Sequence, residues 1–326
     1  MKNFIKLISA GLVLSMFFIC AIASSSSNDE TGASKVGEVT AADEEASAEE
    51  TETEETAAAL KDEYHVGDEL IVDDMRIVYV ASGEYVSDNE YLTPDEGNKY
   101  IFIKLFCENQ GEDDNTVTFY DFDCYADGYA ADMAYINDDT LSATLSSGRS
   151  ITGSIVFEVP EDASEIEIEY ECNWITEEKI LFVYDGDSDS GFVADTVAEA
   201  SENAYSVGDI VENSDLRISY IECGEYISDN SFIQPADGNH YIYFKFEFEN
   251  ISDSDQYVSF YDFDCYADGI NCDQTYSDDD LSATISSGRI ANGTVTFEVP
   301  LDAEIIECEF VNNAFTSDRI VFTYSE

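Results

Sequence analysis

Carboxylates recur at matching places along the chain. Asp121 and Asp123 are answered by Asp262 and Asp264, and Asp138-Asp139 by Asp278-Asp279. Hard oxygen ligands that converge from a strand and a loop are what a Ca2+ site takes. Asp121, Asp123, Asp138, Asp139, Asp262, Asp264, Asp278 and Asp279 are therefore the calcium candidates, and calcium is the sole candidate cofactor. Alternate positions such as Asp121 and Asp123 are equally what a solvated strand face looks like, and the solvated face is the preferred reading.

Thiols are the second chemistry. Asp268-Gly269 is a strong two-residue hairpin signal, because Gly accepts positive φ and Asp tolerates it. Centring the turn there sets Cys265 opposite Cys272, within disulfide range. A bridge closing so short a loop contributes about 2.5 kcal/mol in the chain-entropy model. Cys265–Cys272 is the expected disulfide. The first copy has Ala131 where Cys272 stands, so the fold does not require the bridge. Alternation puts Cys107, Cys124 and Cys172 on inward faces, either with one internal pair or as small buried hydrophobes, the latter preferred. Cys223 and Cys308 are open in the same way.

Catalytic constellations are missing. The two histidines, His65 and His240, stand opposite Ser206 and Lys99, so the copies share no His-dependent mechanism. Gly-x-Ser-x-Gly, His-Glu-x-x-His and phosphate-cradling glycine loops do not occur. No close-spaced Cys/His set suits zinc. Acidic pairs are too abundant for any one to signal glycosidase chemistry. The chain reads as a non-enzyme.

The charge balance narrows the partners. Seventy-two acidic residues against 13 basic ones give a net charge of −59. Such a chain repels phosphate backbones, which excludes nucleic acid, and it disfavours direct adsorption to anionic headgroups. Recurrent tyrosines (Tyr85/Tyr226, Tyr120/Tyr261, Tyr125/Tyr266) could form a sugar- or peptide-binding surface, although cross-strand packing is the preferred account of most.

What positions these residues is a duplicated domain. "FYDFDCYADG" runs from Phe119 and again from Phe260, and "YHVGDELIVDDMRIVYVASGEYVSDN" from Tyr64 is answered by "YSVGDIVENSDLRISYIECGEYISDN" from Tyr205. A repeat this long holds its own core. In Ile242–Glu249, apolar residues alternate with Lys245, Glu247 and Glu249, a strand with one face in a core. Turn signals fall between such runs. The expected fold is all-β, two tandem immunoglobulin-like β-sandwich domains at 64–184 and 205–326, joined by an acidic linker at 185–204. A small barrel is the alternative.

Ahead of them, 24–63 is Ser, Thr, Ala, Glu and Asp with almost no large apolar side chain, a composition that predicts a disordered acidic tether. Extended at ~3.4 Å per residue, it would reach on the order of 100 Å. Residues 1–23 read as a signal peptide or N-terminal anchor. Three versions stay open: cleavage after "AIA" (Ala21–Ala23), lipidation at Cys20, and an uncleaved apolar span. All three place the remainder outside the cytoplasm, with the membrane touched only through this segment.

The ordered motifs "VGD", "GNKYIFIK…EN" or "GNHYIYFK…EN", "ADG", "SSGR" and "FEVP" resemble a bacterial extracellular family, domain of unknown function 4352, over Tyr64–Tyr184 and Tyr205–Tyr324. The resemblance implies a β-sandwich on exported, often lipid-anchored proteins, and it carries over no catalytic residues. The expected function is an exported, surface-tethered bacterial protein displaying two domains that bind an extracellular protein or glycan. The alternative is a structural spacer or adhesion stalk, stiffened by calcium.

Overall fold

The computed structural model describes residues 34–38, 63–87, 89, 91–137, 139–173, 178–194, 200–201, 203–230, 233–277, 279–311 and 319–325. The expected signal or anchor segment at 1–23, with Cys20, and most of the expected tether lie outside the described residues, as do Asp138 and Asp278. The chain divides into two compact units, Met1–Thr31 and Gly32–Glu326, and every described residue belongs to the second.

In chain order the first half carries β1 (Ser34–Glu38), β2 (Asp68–Val72), β3 (Met75–Glu84), β4 (Asn98–Asn109), β5 (Asn115–Thr118) and β6 (Phe122–Ala126). β7 (Tyr129–Met133), β8 (Ser142–Leu145), β9 (Ser150–Pro160), β10 (Ile166–Asn173), β11 (Glu178–Val183) and β12 (Ser188–Asp189) follow. The second half carries β13 (Ile210–Glu212), β14 (Leu216–Tyr226), β15 (Asn239–Asn250), β16 (Gln256–Ser259), β17 (Phe263–Ala267) and β18 (Ile270–Cys272). It closes with β19 (Gln274–Thr275), β20 (Ser282–Ile285), β21 (Ile290–Pro300), β22 (Ile306–Val311) and β23 (Arg319–Thr323).

Each repeat is a β-sandwich. In the first, β2-β3-β4-β9 make one sheet and β6-β10-β11 the other, with β7 pairing to both β6 and β9. In the second, β13-β14-β15-β21-β19 faces β18-β17-β22-β23. A short ribbon, β5–β8 or β16–β20, accompanies each. The strand that bridges the sheets in repeat 1 is continuous as β7; in repeat 2 it is split into β18 and β19.

Alternation places the core. Along β15, Ile242, Phe244, Phe246 and Phe248 are buried while Lys245, Glu247 and Glu249 are partly exposed. Phe246 meets Phe263 at 5.2 Å and Phe322 at 4.7 Å between ring centroids, so the two sheets of repeat 2 interlock through aromatic rings. Ile103, Leu105 and Cys107 fill the corresponding places in repeat 1. Each buried side chain of this size stabilises by roughly 1.5–3 kcal/mol. The buried Asn109 amide donates to Asp113 O and Leu145 O, both at 2.8 Å, and Asn250 repeats the arrangement with Ser254 O and Ile285 O. The bonds to Leu145 O and Ile285 O satisfy carbonyls at buried strand ends that would otherwise be costly to leave unpaired.

Two segments outside the expected domains carry pairing. Ser34–Glu38, inside the expected tether, runs antiparallel to β2 and covers its otherwise open edge. The front of the expected linker adds β12 to β3, and Phe192 packs on Phe106 at 5.0 Å. The linker therefore starts as part of the outer face of repeat 1.

Candidate binding surfaces and the junction between the repeats

The repeated phrase is two turns and a strand. Phe119–Asp121 and Phe260–Asp262 are single 3-10 turns capped by Thr118 and Ser259. Asp121 accepts from Thr118 N at 3.2 Å and Asp262 from Ser259 N at 2.7 Å, closing a reciprocal capping box. Asp127-Gly128 and Asp268-Gly269 take positive φ at both residues, as the hairpin reading requires. Asp127 also accepts from the Ser164 and Glu165 amides, and Asp268 from those of Glu304 and Ile305, which ties each hairpin to the next strand of its sheet.

The capped turn thrusts one tyrosine outward in each copy. Tyr120 is 71% exposed and Tyr261 70%. Tyr120 lies beside Tyr135, ring centroids 6.4 Å apart, and Tyr261 Oη lies 3.0 Å from Tyr276 Oη. Phe119 and Phe260 sit under these pairs, in edge-on contact with Tyr135 and Tyr276 at 5.7 and 5.4 Å. Both sandwiches thus present an exposed tyrosine pair on an aromatic base. Tyr85 instead donates to Ile136 O, and Tyr266 is buried.

The calcium candidates are dispersed among structural duties. Asp121 and Asp262 are caps, and burial raises the pKa of each against the lowering effect of its amide bond. Asp264 pairs with Arg319 at 3.2 Å; burial raises its pKa, and the guanidinium opposes this. Asp139 accepts from Ser154 Oγ at 2.8 Å and pairs with Lys104 at 3.2 Å. Asp123 is exposed, and Asp279 accepts from Thr294 through its carbonyl. Among the described residues no three acidic, His or Cys side chains gather in a metal-holding group.

Cys265 does face Cys272 across the hairpin, as the turn chemistry dictates. The expected bond between them is not present in this structure, where both are thiols. Burial, then the hydrogen bond with Cys272, pushes the Cys265 thiol well up, which disfavours the thiolate that would attack. Cys308 faces Cys265 from the other side, so three cysteines share one level. Cys107 and Cys124 are buried thiols, each pushed by burial to about 12. Cys172 and Cys223 are half-buried. His65 Nδ1 meets Asp185 at 2.9 Å, a contact at the start of the linker, whereas His240 lies 3.8 Å from Glu225.

The densest polar cluster was not anticipated from sequence. It lies where repeat 1 meets repeat 2. Arg149 Nε donates to Glu309 Oε1 at 2.7 Å and its Nη2 to Glu307 Oε2 at 2.6 Å. Glu307 is 0% and Glu309 2% exposed. Ser146 Oγ donates to Glu309 at 2.9 Å, and the linker's Ser201 N to Glu307 at 2.7 Å. Arg319 of repeat 2 reaches Asp114 of repeat 1 at 3.1 Å and Glu309 at 3.3 Å. Tyr266 inserts into the core cluster of repeat 1 with the Arg149 guanidinium 4.6 Å above its ring. Ser150 N donates to Gly269 O at 3.0 Å, joining β9 to β18 as parallel neighbours. Burial alone would lower the Arg149 pKa; the charges and hydrogen bonds of Glu309 and Glu307 outweigh it and hold Arg149 above the ordinary arginine value. The sequence signal was available in "SSGR", in a chain where basic residues are few.

A family described as Domain of unknown function (DUF4352) matches residues 64–180 and again 205–320. None of the curated proteins matches the chain. Among solved structures, a protein of Bacillus subtilis suggested to be a lipoprotein (ycdA) aligns at 16% identity and TM-score 0.30, over 35% of this chain and 37% of that one. The present chain therefore spans well under half the length of that relative. The secreted protein MPT63 of Mycobacterium tuberculosis aligns at 16% identity and TM-score 0.29, over 38% of this chain and 100% of its own. An uncharacterized β-sandwich protein of Clostridium difficile 630 aligns at 12% identity and TM-score 0.26, over 39% and 99%.

Proposed function

Because the chain belongs to the family described as Domain of unknown function (DUF4352), matched across both repeats, we propose that it is an exported, surface-tethered protein that binds an extracellular partner through the tyrosine pair on each sandwich. The partner chemistry is a neutral or cationic glycan. The observation that carries this is duplication with exposure: Tyr120 and Tyr261 stand out in solvent on capped turns. An aromatic face with a phenolic edge suits the C–H face and hydroxyls of a sugar ring, and single exposed rings need no explanation but a repeated pair does. The net charge of −59 repels anionic polymers. No catalytic role is assigned, and no calcium is required.

A glycan array probed with the full chain, followed by calorimetric titration of the best ligand, tests the reading. Tyr120→Ala and Tyr261→Ala should each weaken binding, and the double variant should abolish it. Unchanged titration curves for the double variant would sink the proposal.

A second reading, the stalk, draws on the junction. Two sandwiches sharing a buried ion network cannot rotate freely, so they act as one stiff arm. Small-angle scattering should give one fixed pair distance for the two repeats in the wild type. A broadened distribution in wild type would argue against the stalk.

A further inference from the structure

The junction between the repeats is heterologous: the "SSGR" end of one sandwich meets the "FDCYADG" and "ECE" face of the next. Such an interface does not use itself up. Repeat 2 carries its own "SSGR", ending in Arg289, and repeat 1 carries its own acidic strand with Glu167 and Glu169. We propose that chains associate head to tail, the Arg289 end of repeat 2 docking on the Glu167/Glu169 face of repeat 1 in a second copy.

The two free halves repeat the charged residues of the two used halves in kind and position. Arg289 and Ser286 stand where Arg149 and Ser146 stand in the junction, and both are exposed. Glu167 and Glu169 take the places of Glu307 and Glu309 on β10, and both are partly exposed. Tyr125 occupies the place of Tyr266, half-buried rather than buried. Lys179 pairs with Glu169 at 2.6 Å, as Arg319 does with Glu309. Arg289 takes no part in the ion pairs among the described residues, so its guanidinium is open to a carboxylate from outside.

The departures point the same way. Within the chain, Ser150 bridges to Ile270. Their counterparts at the free ends are Ile290, 56% exposed, and Tyr129, 80% exposed. Docking a second copy in the same geometry would bring these two apolar side chains together and remove both from water, a gain of roughly 25 cal/mol per Å2 buried. Two inner contacts have no counterpart at the new joint: the linker's Ser201, which donates to Glu307 inside the chain, and the Ser150 hydroxyl, which donates to Gly269 O at 3.4 Å where Ile290 has none. The inner joint also forms at the high effective concentration a short linker gives, on the order of millimolar. The joint between chains is therefore the weaker of the two, suited to proteins concentrated on one surface.

Sedimentation of the full chain, in mild detergent and at physiological ionic strength, tests this. There the Debye length is about 8 Å, so the repulsion between highly negative chains is screened beyond the contact. The weight-average mass of wild type should at least double across a concentration series. Arg289→Glu alone and the pair Glu167→Arg/Glu169→Arg alone should remain monomeric. Mixed in equal amounts, the two variants should associate again, because one keeps an intact acceptor and the other an intact donor. Ile290→Ser, which installs the residue found at the inner junction, keeps every charge and should weaken association; near-ultraviolet circular dichroism confirms that each variant is folded. A monomeric wild type, a folded single-end variant that associates like wild type, or a mixture that stays monomeric would each overturn the proposal.

Discussion

Arg149 and Arg289 close the same "SSGR" motif, yet the structure gives them opposite fates, and the contrast can be measured. Arg149→Met removes the guanidinium that faces Glu307 and Glu309 at 2.6 and 2.7 Å. Two nearly inaccessible carboxylates then lose their main counter-charge. Breaking a buried ion pair by deleting one partner costs about 3–5 kcal/mol. Arg319 still lies 3.3 Å from Glu309, and Ser146 and Ser201 still donate, which argues for the lower end, about 3 kcal/mol. At roughly 2–4 °C per kcal/mol for a body of this order of size, the unfolding midpoint should fall by about 6–12 °C. Arg289→Met, at an exposed position, should stay within about 0.5 kcal/mol at concentrations where the chain is monomeric. Adding Glu307→Gln and Glu309→Gln to Arg149→Met should recover most of the loss, since the penalty is an uncompensated buried charge and not a missing contact. The assay is calorimetry combined with small-angle scattering, which separates undocking of the repeats from unfolding. Equal midpoints for Arg149→Met and Arg289→Met would refute the claim that the buried network couples the repeats.

The remaining predictions concern packing, pH and thiols. A Cβ at Gly153 or Gly293 would lie 2.7 Å from the Leu141 or Leu281 Cα, so Gly153→Ala and Gly293→Ala should each destabilise by roughly 1–3 kcal/mol in urea titrations, because backbone must shift. Burial raises the pKa values of Asp121, Asp262 and Asp264, so their protonated forms favour the native state; this contribution is complete below the unfolded carboxylate range and is lost as pH rises through the folded values. The unfolding midpoint should therefore rise as pH falls from 7 toward about 4.5, with relief of self-repulsion acting in the same direction. Asp127, held low by bonds from Ser164 and Glu165, has the opposite sign and contributes to a downturn at lower pH; a midpoint that falls steadily from pH 7 would contradict the scheme. Under an oxidising glutathione buffer, peptide mapping should find the Cys265–Cys272 bridge, which the facing register permits. Recovery of Cys265–Cys308 instead would show that the neighbouring strand outcompetes the hairpin.

Sequence and structure divide along a physical line. The alternation in β15, the Asp-Gly turns and the facing of Cys265 and Cys272 could all be read locally, because a strand's two faces and a hairpin's register depend on residues close in sequence. The capping role of Asp121 and Asp262 is local too, yet neither the solvated-face reading nor the calcium candidacy expresses it: a carboxylate three residues after Thr or Ser reads the same whether it caps, ligates or faces water. The thiol state of Cys265 depends on burial by β22, which arrives from far along the chain.

By itself, then, the sequence determined a duplicated all-β chain, its turns, its inward and outward faces and its charge. Only the tertiary structure decided that the copies are not independent. "SSGR" and the paired glutamates occur twice, and nothing local separates the used set from the free one. Arg149 is buried and Arg289 exposed because each end of a head-to-tail pair has one neighbour, and which end that is depends on where the linker leads the chain.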